Sequence, residues 1–435
     1  MKIALINPNI ITQKNDFFGT GIPYMPITLA YLASQLKLYG HEIEVIDAFG
    51  EKPWQISEIN DRIIQGLTID ETISKIDDDT DAIFIYASQV VLHDRIIDLI
   101  KVMKEKELKG KIILLENSQS VVSYSLAKVK KELFAEKIDI IIIGEPEITS
   151  IELLEELSKD SPELSRIDGI IYDDNGKIVE TKQRKHIEDL ESLPFPAWYM
   201  FPVKNYWELG YAHAPLRRKG RYLPMLTSRG CPYGCEFCII PFINERKWRG
   251  RRADNVVAEI EDMVLRYGIK EVHIEDLNPT LQKERIEEIA KGIKRKGLKV
   301  SLKFAAGIKL ESISKETLKI LKSSGCDYIS FSPESGSKKV LDLMKKPFDY
   351  THGIEMTKEM HRLGLYSQAC FVLGFPGETK DDLKLTMKYI RKLTIAGIDE
   401  IALFMMTPIP GSKPYELSQM KPEKISEFTF SPKWR

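Results

Sequence analysis

The sequence predicts an α/β protein made of two successive parallel-sheet units: an N-terminal doubly wound, Rossmann-like domain over residues 1–155 and a partial (β/α)6 barrel over 223–412. Three observations carry this expectation. Short apolar runs alternate with helical periods up to residue 155 and again from 223. A stretch with neither pattern, 156–222, stands between as a connector, and 413–435 follows as a short C-terminal segment. At roughly 100–200 residues per domain, 435 residues accommodate two or three domains with ample core.

In the first domain the strand candidates are 3–6, 43–46, 82–86, 112–115 and 140–143. Leu29, Leu32 and Leu36 recur at i, i+3 and i+7, which predicts one buried helical stripe, and Gly40 suits a left-handed helix end. Doubly wound sheets bind ligands beyond the carboxyl ends of their strands. The segments there are Asn7-Pro8-Asn9, Ser88-Gln89, Glu116-Asn117-Ser118-Gln119-Ser120 and Gly144-Glu145-Pro146-Glu147.

Within 156–222, Asn175-Gly176 between two apolar runs predicts a hairpin, because both residues accept positive φ. The run Leu193-Pro194-Phe195-Pro196-Ala197-Trp198 cannot be helical, and its aromatics are expected to pack between two domains. In the barrel, strands are predicted at 223–226, 272–275, 300–304, 328–331, 369–373 and 401–405, with the last helix short or missing. Val256, Ile260, Met263, Val264 and Tyr267 predict one buried helix face; Leu383, Met387 and Ile390 predict another, after a Thr379/Asp382 cap.

Composition limits the partners. With 63 Lys+Arg against 64 Asp+Glu, the net charge of −1 argues against a protein held on nucleic acid by its overall field. Apolar stretches such as 82–92 and 140–143 fall short of the ~20 residues a bilayer requires. No transmembrane segment is expected, and the N-terminus, MKIALINPN, turns polar too soon for a signal peptide. Five cysteines cannot make a disulfide framework, so a cytoplasmic protein is expected.

Three of those cysteines sit in Cys231-Pro232-Tyr233-Gly234-Cys235-Glu236-Phe237-Cys238, directly after the first barrel strand. Three soft thiolates on one compact loop suit an iron–sulfur cluster, and with no fourth cysteine nearby one iron is expected to be open. Zinc is the rival, although no histidine follows at suitable spacing; inert packing is the bland alternative.

The CxxxCxxC motif with an aromatic before its last cysteine resembles that of the radical S-adenosylmethionine (SAM) superfamily. The whole chain resembles the subfamily with an N-terminal cobalamin-binding domain, of the class B radical SAM methyltransferase type. The likeness runs through LPFPAWYMF, WRGRRADNVVAEIE, VHIEDLNPTL, FSPESGS, LGFPGET and TPIPGS, over most of residues 1–412. It implies that Cys231, Cys235 and Cys238 hold a 4Fe-4S cluster whose open iron chelates SAM, with Phe237 beside the adenine. Glu275, Asp276 and Asn278 would meet the SAM amino group, and Ser332 and Glu334 its ribose or carboxylate. The segment from Gly374 through Pro376 to Gly377, with Thr407-Pro408, would border the adenine. Lys309 stands where relatives often carry Arg, so a forked carboxylate clamp is not expected there.

For the first domain the resemblance implies cobalamin, held by loops that here contain Pro8, Asn9, Ser88, Ser118, Gly144 and Glu145. Two departures from the family pattern matter. No DxHxxG motif offers a histidine to cobalt, and Glu116 to Ser120 replace the usual Gly-Gly, putting a carboxylate where a phosphate-bearing tail would lie unless it turns away. His93 is expected at the surface, and Cys326, at a helix end, and Cys370, on a strand, are expected to be buried packing residues. Basic runs at 217–221 and 246–252 bracket the cysteine loop; a solvated face with a few salt bridges is the first reading, attraction of an anionic substrate, a nucleotide tail or an electron donor the second.

The implied function is an anaerobic, cobalamin-dependent radical SAM methyltransferase acting on an unactivated carbon through a 5′-deoxyadenosyl radical, served by a one-electron donor such as flavodoxin or ferredoxin. The alternative is a radical SAM cyclase, rearrangement or coupling enzyme whose first domain is degenerate or structural. A methylthiotransferase is disfavoured because no cysteine precedes Cys231, and a non-enzymatic sensor because one iron is expected to be open. The 28 residues after Thr407 lead to the expectation of a substrate pocket that is open, completed by a partner, or built by a further segment.

Overall fold

In a computed structural model, described over residues 1–14, 21–59, 62–216, 220–418 and 425, the chain divides into two compact units. The first comprises Met1–Leu209 with Phe242–Asn244 and a segment beginning at Pro408; the second comprises Gly210–Pro241 and Glu245–Thr407.

The first unit holds a seven-stranded sheet in the order Lys177–Glu180, Ile170–Asp174, Ile140–Ile142, Lys111–Glu116, Ala82–Ala87, Lys2–Asn7, Glu42–Asp47. The five strands from Ile140–Ile142 to Glu42–Asp47 are parallel, and all six side chains of Ala82–Ala87 are buried, as a strand covered on both faces requires. Chain order reverses at the Lys2–Asn7 strand, whose neighbours lead away on opposite sides; this is the switch point at which such sheets bind ligands. Leu29, Leu32 and Leu36 of the Ile27–Leu38 helix are fully buried, and Gly40 has φ 81°.

The hairpin forms with Asn175 at φ 53° and Gly176 at φ 87°, and it extends this sheet antiparallel at one edge. The Pro-rich run packs within the unit: the Ala197 amide donates to the Ala30 carbonyl and Trp198 is buried. A small antiparallel sheet of Ile10–Gln13, Arg62–Gln65 and Ile56–Ile59 was not foreseen. Its strands have four residues each, too short for alternation to identify. His93 is a correction: it is wholly buried, with Nδ1 3.0 Å from the Tyr124 hydroxyl and Nε2 3.3 Å from Glu132.

The second unit is a parallel sheet whose six strands pair in chain order: Tyr222–Met225, Glu271–Ile274, Ser301–Ile308, Cys326–Glu334, Tyr366–Leu373 and Glu400–Met405. Among the described residues the last strand does not pair with the first, so the barrel is open. Its N-terminal end is filled by charge: buried Lys303 lies 3.1 Å from Glu271 and 3.7 Å from Asp327 and donates to the Pro215 carbonyl. Cys326 and Cys370 are both buried, the former opening a strand rather than ending a helix.

The Ala253–Tyr267 helix buries Val256, Ile260 and Met263 and ends on left-handed Gly268. The Lys380–Ala396 helix has the Thr379/Asp382 capping box but not the expected face. Leu383 and Met387 are exposed, 37% and 51%, and the helix buries Asp382, Thr386, Tyr389 and Leu393 instead. The physical reason is specific bonding: the Thr386 hydroxyl accepts from the Gly336 amide, and Tyr389 packs against Phe348 and Phe371.

Candidate active site

The cysteine loop is clamped at its base. Ser228–Arg229 and Arg249–Gly250 pair antiparallel on either side of it, and Gly230, at φ 80°, turns the chain out of the clamp. Within the loop the Cys238 amide donates to the Cys235 carbonyl at 3.2 Å. Outside contacts set its shape: the Glu236 amide donates to the Met344 carbonyl, Arg246 Nε to the Pro232 carbonyl, and Lys309 Nζ lies 4.7 Å from the centre of the Tyr233 ring.

Burial raises all three thiols, Cys238 to about 12. Opposing this, the Tyr233 amide and the Asn278 side chain hydrogen-bond Cys231, the Ile240 amide hydrogen-bonds Cys238, and Lys346 acts on all three sulfurs. Sulfur-directed N–H donors and a nearby cation are what thiolates bound to iron need, so the donor set fits an iron–sulfur cluster.

The strand ends around the loop sort the expected SAM residues. Asp276 is fully buried: Oδ1 accepts from the Thr227 amide, and Oδ2 from the Thr227 and Ser228 hydroxyls. Burial raises its carboxyl, opposed by the Arg285 charge and these bonds. Its carboxylate thus faces inward and holds the chain leading to Cys231. Arg285 completes the support, donating to the Thr227, Arg251 and Pro279 carbonyls beside the Trp248 ring. The Trp248 indole in turn donates to the Asn278 carbonyl at 2.8 Å. Glu275 pairs with His213 Nδ1 at 2.7 Å.

Glu334 lies at a register shift of its strand, at φ 65°, and its carboxylate pairs with the Lys346 ammonium. Ser332 faces Gly307, where a Cβ would sit 2.1 Å from the hydroxyl oxygen. Phe237 packs against a cluster of Val340, Leu341, Met344, Phe375 and Met406, with Val372 alongside. Gly374, at φ 80°, donates its amide to Glu378; Pro376 is exposed and the buried member of that turn is Phe375. Thr407 closes the second unit, donating its hydroxyl to the Met405 carbonyl at 3.4 Å.

In the first unit, Pro8, Asn9, Ser88, Ser118, Gly144 and Glu145 follow the carboxyl ends of four neighbouring parallel strands, so the topology gathers them at one end of the sheet. Glu116 turns away into the protein, accepting from the Leu126 amide at 3.0 Å and the Gly144 amide at 3.1 Å; burial raises its carboxyl to about 7. Asn9 donates to the Leu67 carbonyl, Asn117 to the Ser88 carbonyl, Gln119 to the Ser118 hydroxyl, and Glu145 accepts from the Ile187 amide. The second basic run is largely structural: buried Arg251 pairs with Glu259 at 2.6 Å, Arg252 with Asp254 and Lys247 with Glu245. Of the first run, Arg217, Arg218 and Lys219 lie outside the described residues.

Residues 225–390 match the model of the Radical SAM superfamily. They form a radical SAM domain. Over the whole length, the chain is 29% identical to an uncharacterized methyltransferase of Pyrococcus horikoshii, across 96% of this chain and 83% of that one. It is 24% identical to the cytidylyl-2-hydroxyethylphosphonate methyltransferase of Streptomyces wedmorensis, across 95% and 80%. Its fold is that of the radical S-adenosylmethionine methyltransferase TsrM from Kitasatospora setae, with a TM-score of 0.70 at 15% identity over 95% of this chain and 75% of that one. TsrM has been solved with cobalamin and a [4Fe-4S] cluster, and with its tryptophan substrate and a SAM analogue.

Lys346, His213 and the Thr227-Ser228 pair of this radical SAM domain escaped the sequence reading. Thr227 and Ser228 stand four and three residues before Cys231 and were legible as hydroxyls near the motif. Lys346 comes from the end of a different strand–helix unit, and only the fold brings it to the loop.

Proposed function

We propose that the protein is a cobalamin-dependent radical SAM methyltransferase that acts on an unactivated carbon. The observation that carries this reading is the three-thiol loop at the carboxyl end of the first barrel strand, in a chain 95% of which, N-terminal unit included, follows the fold of TsrM. When bound, a 4Fe-4S cluster with SAM supplies a 5′-deoxyadenosyl radical, and cobalamin supplies a transferable methyl group.

The residues divide the work. Cys231, Cys235 and Cys238 would hold the cluster, while Phe237 and Phe375 provide an apolar wall that excludes water. Ser332, Glu334 and Glu275 would offer polar groups to SAM; Asp276 acts indirectly, holding Thr227 and Ser228. In the first unit the loops with Pro8, Asn9, Ser88, Ser118, Gly144 and Glu145 would take cobalamin, with the Glu116 carboxylate withdrawn from the tail. Among the described residues no helix is long and apolar enough to cross a membrane. The reading places the protein in the cytoplasm, with flavodoxin or ferredoxin as electron donor.

The test is anaerobic purification with added cobalamin, followed by incubation with methyl-labelled SAM and a strong reductant. Retained corrinoid absorbance, 5′-deoxyadenosine and label in a product are expected. SAM cleavage without any corrinoid would overturn methyl transfer in favour of a cyclase, rearrangement or coupling reaction.

A further inference from the structure

Two side chains reach the cysteine loop from different strand–helix units, Asn278 from beyond the Glu271–Ile274 strand and Lys346 from the turn after the Lys338–Leu343 helix. Asn278 is 2% exposed and hydrogen-bonds Cys231, and its buried Oδ1 has no partner among the described residues. Lys346 is largely buried against Glu334 and sits 5.8 Å from the centre of the Phe237 ring. Glu334 holds its place at a positive φ, a conformation that costs a non-glycine residue about 1–3 kcal/mol and that collects at functional sites.

We propose that Lys346 and Asn278 are positioning residues that set the electron affinity of the cluster bound by Cys231, Cys235 and Cys238, with Glu334 acting in opposition. The inference rests on the iron–sulfur reading of that loop. Reduction adds one electron, hence one negative charge, to a site whose ligands do not change. A cation beside the sulfurs and an N–H donated to one of them stabilise that added charge; a carboxylate destabilises it.

The experiment is a potentiometric titration of the full-length protein, reconstituted anaerobically without SAM, reduced with titanium(III) citrate and followed by electron paramagnetic resonance. Iron and sulfide per chain are measured first. Lys346→Met and Asn278→Ala should shift the midpoint to more negative potential, Glu334→Gln to more positive potential, and Lys346→Arg should stay near wild type. The opposite signs are decisive, because Lys346→Met and Glu334→Gln break the same ion pair. If that pair merely braced the loop, both would move the potential the same way, and that result, or unchanged potentials, would overturn the proposal. Should Lys346→Met take up no iron, Glu334→Gln decides alone: a positive shift supports the proposal and any other result overturns it. Wild-type protein that gains no reduced-cluster signal would sink the iron–sulfur reading itself.

Discussion

Asp276 grips Thr227 twice, Oδ1 accepting its backbone amide and Oδ2 its hydroxyl, both at 2.6 Å. The two residues each lie two positions beyond the ends of adjacent parallel strands, so this contact ties the second strand end to the chain that enters the cysteine loop. Asp276→Asn replaces an acceptor by a donor facing a hydroxyl, in a fully buried site. The cost is about 1–3 kcal/mol. A lower melting temperature is expected, together with less iron per chain after reconstitution, and unchanged values of both would refute the role.

The cysteines separate into two classes. Replacing Cys231, Cys235 or Cys238 singly by Ala should abolish acid-labile sulfide uptake and 5′-deoxyadenosine formation. Cys326→Ala and Cys370→Ala remove buried thiols outside the loop, and should cost some stability while leaving sulfide content at the wild-type level.

Glu116 gives the first unit a pH dependence whose sign follows from its environment. Burial raises its carboxyl in the folded state from 4.5 to about 7. The folded protein therefore keeps a proton that the unfolded chain has already released. That contribution is fully present below pH 4.5 and is lost as the pH rises through about 7. Urea midpoints measured between pH 5 and 8 should fall with rising pH, and Glu116→Gln should flatten the fall; equal slopes in the two proteins would count against it.

Gly307 is required by Ser332. A Cβ at 307 would lie 2.1 Å from the Ser332 hydroxyl oxygen and 3.4 Å from its Cβ. Gly307→Ala should therefore lower the melting temperature. Adding Ser332→Ala removes the clashing oxygen and should restore much of the loss, a coupling that a double-mutant cycle measures.

Both parallel sheets were legible because strands buried on two faces leave unbroken apolar runs such as 82–86 and 140–143, and because helices must alternate with them. The small sheet around Ile10 and Arg62 was not, since pairing between distant four-residue strands leaves almost no local trace. The Lys380–Ala396 helix shows a different limit. Its most apolar stripe faces out, because a threonine, a tyrosine and a capping aspartate find specific partners on the inner side.

The chemistry was legible by itself in one place, the cysteine loop, because three ligands close in sequence need no tertiary fold to bring them together. The surroundings of that loop were decided by tertiary structure alone. Asp276 reads as a ligand group and is an internal strut; Lys346, which no motif marks, lies against Glu334 beside the Phe237 ring of the loop. The reason is physical: a motif records which donors lie near one another along the chain, whereas burial and partners, which fix a carboxylate's direction or a lysine's reach, depend on strands hundreds of atoms apart.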